Sequence, residues 1–180
     1  MISVHPPDNQ QPKNSSSPKR PTGLFVLFVL TALNTGSQLF SSVGGVFNGR
    51  PDKSVFEAVK VENAKLINEI KKYGQDINED WIDIIRQTEK ITLASLENFQ
   101  LFSLLILLIS SLGLYGAFQM FRGFKLGFHF YIAYSFLSLI QYYFVISPSE
   151  IPIFNLLANG SVSLFFILMY ARHLDWMNTN

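Results

Sequence analysis

Asn155, Asn159 and Ser163 recur at four-residue steps inside an otherwise apolar run, and Gln141 stands near the end of the run before it. Toward the other end of the chain, Asn34, Gln38 and Ser42 form one such row beside a second row of Ser37, Ser41 and Gly45. Amides and hydroxyls donate and accept hydrogen bonds without carrying charge, so their chemistry in apolar surroundings is recognition rather than proton transfer. Small residues four apart let helices approach closely while amides bond across the contact, within one bundle or between two copies. Gln141, Asn155, Asn159 and Ser163 could equally line a polar seam for a solute. No Asp, Glu, Lys or Arg lies deep in any apolar run, and ion-coupled passage relies on an ionisable relay there. Structural hydrogen bonding is the reading these residues favour.

Other chemistry is poorly supplied. Cysteine is absent, which removes disulfides, thiolate metal sites and cysteine nucleophiles. His129 has no second ligand near it and reads as an interfacial hydrogen-bonder. His173, beside Arg172 and Trp176, reads as an interface anchor. The acidic cluster Asp76, Glu79, Asp80 and Asp83 lacks the spaced ligand loop of a calcium site and suits a solvated helix start. No Ser/His/Asp set, glycine-rich phosphate loop or pair of intramembrane carboxylates is present. The expectation is a chain that is not an enzyme and has neither cofactor nor metal.

The elements that hold these residues follow from where charge falls. There are 14 basic and 13 acidic side chains, so no net basic field invites nucleic acid. Most of them lie between Arg50 and Glu97, whereas from Asn98 to Met177 only Arg122, Lys125, Glu150, Arg172 and Asp175 are charged. Such segregation implies two solvents, water and lipid. Residues 1–20 are proline- and serine-rich and predict a disordered tail. Residues 21–47 predict a first membrane helix, retained rather than cleaved, since Thr35-Gly36-Ser37 is a weak match to a signal-cleavage site.

Asn48 to Asp52 reads as a stop, followed by a capping box at Ser54 and Glu57. Val55, Val59, Leu66, Ile70 and Tyr73 make one apolar stripe, ended at Gly74. A second helix restarts at Asp76 with Ile77, Trp81, Ile84, Thr88 and Ile91 on its stripe. Residues 48–97 therefore predict an amphipathic helical hairpin with its apolar faces together, its second arm running without obvious break toward the next span. Residues 98–120 are the clearest span; their Leu, Ile and Phe side chains favour insertion by roughly 4–7 kcal/mol, an upper figure because end positions contribute less. Residues 126–146 and 152–171 predict two further spans, leaving 172–180 as a second tail.

With four spans, Lys19, Arg20, Arg122, Lys125 and Arg172 share one side. The short turn on the other side carries Glu150 and no cation. The positive-inside rule then makes these five residues topology anchors and puts both termini in the cytoplasm.

Three stretches carry a resemblance: Lys19-Arg20-Pro21-Thr22, the group Lys125, Gly127, Phe128 and Tyr131, and the ending from Tyr170 to Met177. Together they resemble a group of small uncharacterised bacterial four-span inner-membrane proteins, most closely over the last third of the chain. The resemblance implies a bacterial inner membrane and no catalytic residues.

The expected architecture is all-α, an integral membrane four-helix bundle with an extracytoplasmic helical hairpin. The expected role is an accessory protein presenting that hairpin, its partners the lipid bilayer and a membrane protein or a second copy of itself. The alternative is a small transporter or channel subunit using the polar seam.

Overall fold

The computed structural model describes residues 19–73, 79–147 and 151–179. The expected tail over residues 1–18, the caps at Gly74 and Asp76, and the centre of the turn at 148–150 lie outside the described residues. All regular structure described is helical: α1 (Thr22–Asn48), α2 (Lys53–Tyr73), α3 (Glu79–Glu97), α4 (Phe99–Phe121), α5 (Leu126–Ile140) and α6 (Ile153–Ala171). Two short 3-10 turns follow α5 and α6, at Gln141–Phe144 and Trp176–Thr179.

Three of these helices, α1, α4 and α6, are long and apolar enough to cross a membrane, and the chain is on that ground a membrane protein. α5 is equally apolar but has 15 residues, about 22 Å at 1.5 Å per residue. The apolar run expected to form a helix over 126–146 instead tightens into the 3-10 turn at Gln141. That turn rises faster per residue and adds about 8 Å to the element.

α4 is the central helix, with α1 packed along one side and α5 along the other. The chain reverses between α4 and α5 by a Schellman motif. Gly123 takes φ 93°, its N–H donates to the Met120 carbonyl at 2.9 Å, and the Phe124 N–H donates to the Gln119 carbonyl at 2.9 Å. A left-handed residue there is cheap only for glycine. The two helices then run so close that a Cβ on Gly127 would meet the backbone of Gly116 and Met120, and one on Gly116 the backbone of Tyr131 and Gly127.

The α1 face turned toward its neighbours is Leu24, Leu27, Thr31, Thr35, Ser42 and Gly45, at steps of three, four or seven residues. Two of its hydroxyls bond within the helix: Thr35 donates to the Thr31 carbonyl at 2.7 Å and Ser42 to the Leu39 carbonyl at 3.0 Å. At Gly45 the helix comes against Ser103 and Phe99 of α4. Ser37 and Ser41, expected in the same row as Gly45, are exposed on the flank of that face.

α2 and α3 pack against each other, but their burial is shallow. α2 opens at Lys53, one residue before the expected cap at Ser54, and the Val55 N–H bonds to the Asp52 carbonyl at 3.0 Å. Glu57 pairs with Lys60 at 3.1 Å, not with its own helix start; both are solvent-exposed, so the pair is worth a few tenths of a kcal/mol. The buried residue of α3 is Ile91, 7% exposed. It meets Leu139, Tyr142 and Leu156 at the end of the bundle. Trp81 likewise sets its ring edge-on to Phe154 of α6, 6.2 Å between centroids. A narrow two-helix seam cannot cover both arms, and α3 finds its deepest apolar contact on the bundle instead. At Asn98 (φ −103°, ψ 33°) the axis breaks for one residue between α3 and α4.

Candidate functional site

The polar residues of α1, α5 and α6 converge on a cavity of about 360 Å³. α1 contributes Thr31, Asn34 and Gln38; α5 and its 3-10 continuation contribute Tyr131, Tyr134, Ser135, Ser138 and Gln141. α6 contributes Asn159 and Ser163, while Leu30, Ile109, Val162 and Phe166 supply apolar wall. No carboxylate, ammonium, guanidinium or imidazole is part of the lining.

Adjacency of α1 and α6 makes this enclosure, and the decisive contact is at its floor. The Thr31 hydroxyl and the Tyr170 hydroxyl are 2.9 Å apart. Tyr170 is fully buried, and its ring lies 4.8 Å from that of Tyr131, which in turn lies 5.5 Å from that of Tyr134. Below this aromatic floor, Leu24, Met120 and Met177 are buried in one cluster. The residues after α6 thus fold back over the start of α1, where the His173 ring sits against Gly23.

Along the wall, Ser110 of α4 donates to Gln38 Oε1 at 2.8 Å, and Gln38 Nε2 reaches Asn34 Oδ1 at 3.4 Å. Asn34 and Tyr134 line the same cavity. The Ser138 hydroxyl donates to the Ser135 carbonyl at 2.8 Å. Ser135 itself is different: it is 3% exposed, and its Oγ has no hydrogen-bond partner among the described residues. Leaving a buried hydroxyl unsatisfied costs about 1–3 kcal/mol.

Of the residues singled out from the sequence, Asn34, Gln38, Gln141, Asn159 and Ser163 are brought together here. Asn155 lies nearer the α2–α3 end, beside Ile91 and Leu156. Ser37 and Ser41 line a neighbouring hollow, and Gly45 marks the α1–α4 contact. Lys19, Arg20, Arg122, Lys125 and Arg172 are exposed. They flank the ends of α1, α4, α5 and α6 that lie opposite α2 and α3. Arg20 sits 3.8 Å above the Phe121 ring, and Arg122 lies 5.2 Å from that of Phe124. Thr31, Ser110, Tyr131, Tyr134, Ser135 and Tyr170 are site residues not singled out by type. The available signal was the spacing of Tyr131, Tyr134, Ser135 and Ser138, a three- and four-residue stripe of hydroxyls in an apolar helix.

The arrangement can exchange hydrogen bonds with a neutral molecule from several sides and can stack its apolar faces on tyrosine rings. It has no acid–base pair, and no group of three or more metal-ligating side chains occurs among the described residues. Comparison with known proteins found no matching family model, no matching characterised protein and no matching solved structure.

Proposed function

We propose that this chain is a four-span protein of a bacterial inner membrane that takes a small uncharged polar solute into its helix bundle. In this reading α5 and its 3-10 continuation, together about 30 Å long, form the span additional to α1, α4 and α6. Both termini are cytoplasmic, with the five cations holding that side, and α2 and α3 form the extracytoplasmic hairpin. The chain acts as a transporter or channel subunit, not as an enzyme.

One observation carries the reading: the bundle holds a cavity that is polar, uncharged and of ligand size, and Ser135 in its wall keeps a buried hydroxyl with no partner among the described residues. A dry packing seam of the same helices would have paired that hydroxyl. The direct test is osmotic swelling of proteoliposomes, read by light scattering, with glycerol as the probe. Protein-dependent swelling that Asn159→Leu abolishes supports the reading; swelling equal to that of empty liposomes removes it.

A second reading rests on α6. Within that helix only Tyr170 is buried, and Leu157, Val162, Leu164, Phe165 and Leu168 leave an apolar face exposed. An accessory protein that joins a partner span there, or a second copy of itself, and presents α2 and α3 outside would use that face. It requires a stoichiometric complex in mild detergent that is lost when residues 54–97 are deleted.

A further inference from the structure

Two more hollows succeed the cavity along α1, toward the α2–α3 end. One of about 330 Å³ lies between α1, α3 and α4, with Ser41, Ser42, Thr92, Ser95 and Ser103 in its wall. Another of about 460 Å³ lies at the end of α1, edged by Asn48, Arg50 and Asp52. Gln38 belongs to the walls of both the first and the second hollow. Ser41 and Phe99 belong to those of the second and the third. With Leu96, Phe99, Phe102 and Ile106 forming the apolar wall of the middle hollow, polar side chains follow one side of α1 from Asn48 to Asn34, about 21 Å of helix. There the sequence of hollows stops, against the Thr31–Tyr170 hydrogen bond and the buried Leu24 and Met177 beneath it.

We propose that the three hollows are one path, open at the α2–α3 end, closed at the cationic end and gated at Gln38. An uncharged solute would follow it to Ser135. The proposal deepens the solute-binding reading above and rests on it. Gln38 is suited to a gate because its amide is held through both heteroatoms, Oε1 accepting from Ser110 at 2.8 Å and Nε2 donating to Asn34 at 3.4 Å, where two hollows meet. Both are neutral hydrogen bonds that a passing solute can replace one for one, so opening costs little. α3 gains a role as well, since Thr92 and Ser95 supply the wall of the middle hollow. Beyond the mouth at Arg50 and Asp52 no charged side chain lines the path. An ion would lose its hydration with nothing to compensate, so the path selects neutral hydrogen-bonding molecules.

The absence of native cysteine makes the test direct. Single variants Ser41→Cys and Ser135→Cys of the full chain are placed in liposomes. A glucosyl methanethiosulfonate, uncharged and unable to cross lipid, is added to one side or the other, and Lys65→Cys on exposed α2 marks the side. Both positions should react from the Lys65→Cys side alone. Adding Gln38→Trp should slow Ser135→Cys at least tenfold and leave Ser41→Cys unchanged, which also reports that the variant is folded. Ser110→Ala, a small change that frees Gln38, should speed Ser135→Cys severalfold. Reaction of Ser135→Cys from the opposite side, or rates unmoved by either substitution, would overturn the path yet leave a solute-accessible cavity. If Ser41→Cys reacts and Ser135→Cys reacts from neither side, the cavity is sealed, and both the path and the solute reading fall.

Discussion

Thr31 and Tyr170 place their hydroxyl oxygens 2.9 Å apart across 139 residues of sequence. This contact fastens α6 to α1, and it sets the floor of the polar cavity. Hydrogen bonds between membrane helices are worth about 0.6 kcal/mol on average, whereas truncating a buried aromatic to alanine costs about 3–5 kcal/mol. Tyr170→Phe should therefore lower stability by about 0.6 kcal/mol and Tyr170→Ala by several times more, read by unfolding in mixed detergent micelles. Equal losses would mean that the hydroxyl, not the ring, holds the two helices together.

The α4–α5 contact should be intolerant of a single methyl group. Gly116→Ala and Gly127→Ala each drive a Cβ into backbone, and overpacking of this kind costs about 1–3 kcal/mol. Gly36 and Gly160 have nothing within 4 Å of the same added atom. Replacing either by alanine should be neutral, or stabilising by up to about 1 kcal/mol through helix propensity. The same unfolding assay separates the two pairs, and a loss at Gly160→Ala as large as at Gly127→Ala would contradict this packing.

Two serines of similar burial should behave oppositely. Ser110 is fully buried and bonded to Gln38, so Ser110→Ala should cost about 0.6 kcal/mol, up to about 1.7. Ser135→Ala removes a hydroxyl with no protein partner, and the purified protein should not lose stability. A destabilisation at Ser135 matching that at Ser110 would reveal a partner within the chain.

Trp81 reports where α3 lies. It is 54% exposed yet touches Phe154 at the start of a membrane-length helix. With Trp176→Phe leaving it as the sole tryptophan, lipids brominated near the headgroup should quench its fluorescence more than those brominated at the chain end. No quenching by either would place α3 clear of the bilayer.

Orientation has its own check. Arg122→Cys should react with an impermeant thiol reagent from one side of the membrane, Ser147→Cys and Lys65→Cys from the other. In right-side-out vesicles the first should be silent. Labelling of all three from one side would break the four-span reading.

The α4 helix was legible because a long charge-free run has few other solutions in water or lipid. The working face of α1 was not. Its small polar residues lie all around the helix, so several rows four apart compete, and which one is used depends on where α4 offers Ser103 and Phe99. For the same reason Gly45, which comes against Ser103 and Phe99, was singled out by type while Thr31 and Thr35 were passed over. A third of the cavity lining, Asn34, Gln38, Gln141, Asn159 and Ser163, could be named from residue type alone. That these residues face one another depends on α1 lying beside α6, and no local pattern encodes a contact 139 residues long. The 3-10 turn at Gln141 escaped notice because hydrophobic periodicity does not separate it from the end of an α-helix.

The order of synthesis gives the self-bonded hydroxyls of α1 a purpose. α1 leaves the ribosome well before α4, its main neighbour, because all of α2 and α3 is made between them. At about 5–20 residues per second, the roughly 50 residues in between take about 3–10 seconds. During that wait α1 must lodge in lipid with Thr35 and Ser42 uncovered. Their bonds to the Thr31 and Leu39 carbonyls of the same helix let it do so without a chaperoning partner. The helix is provisioned for a solitary start, with two hydroxyls of its docking face already paired when α4 arrives.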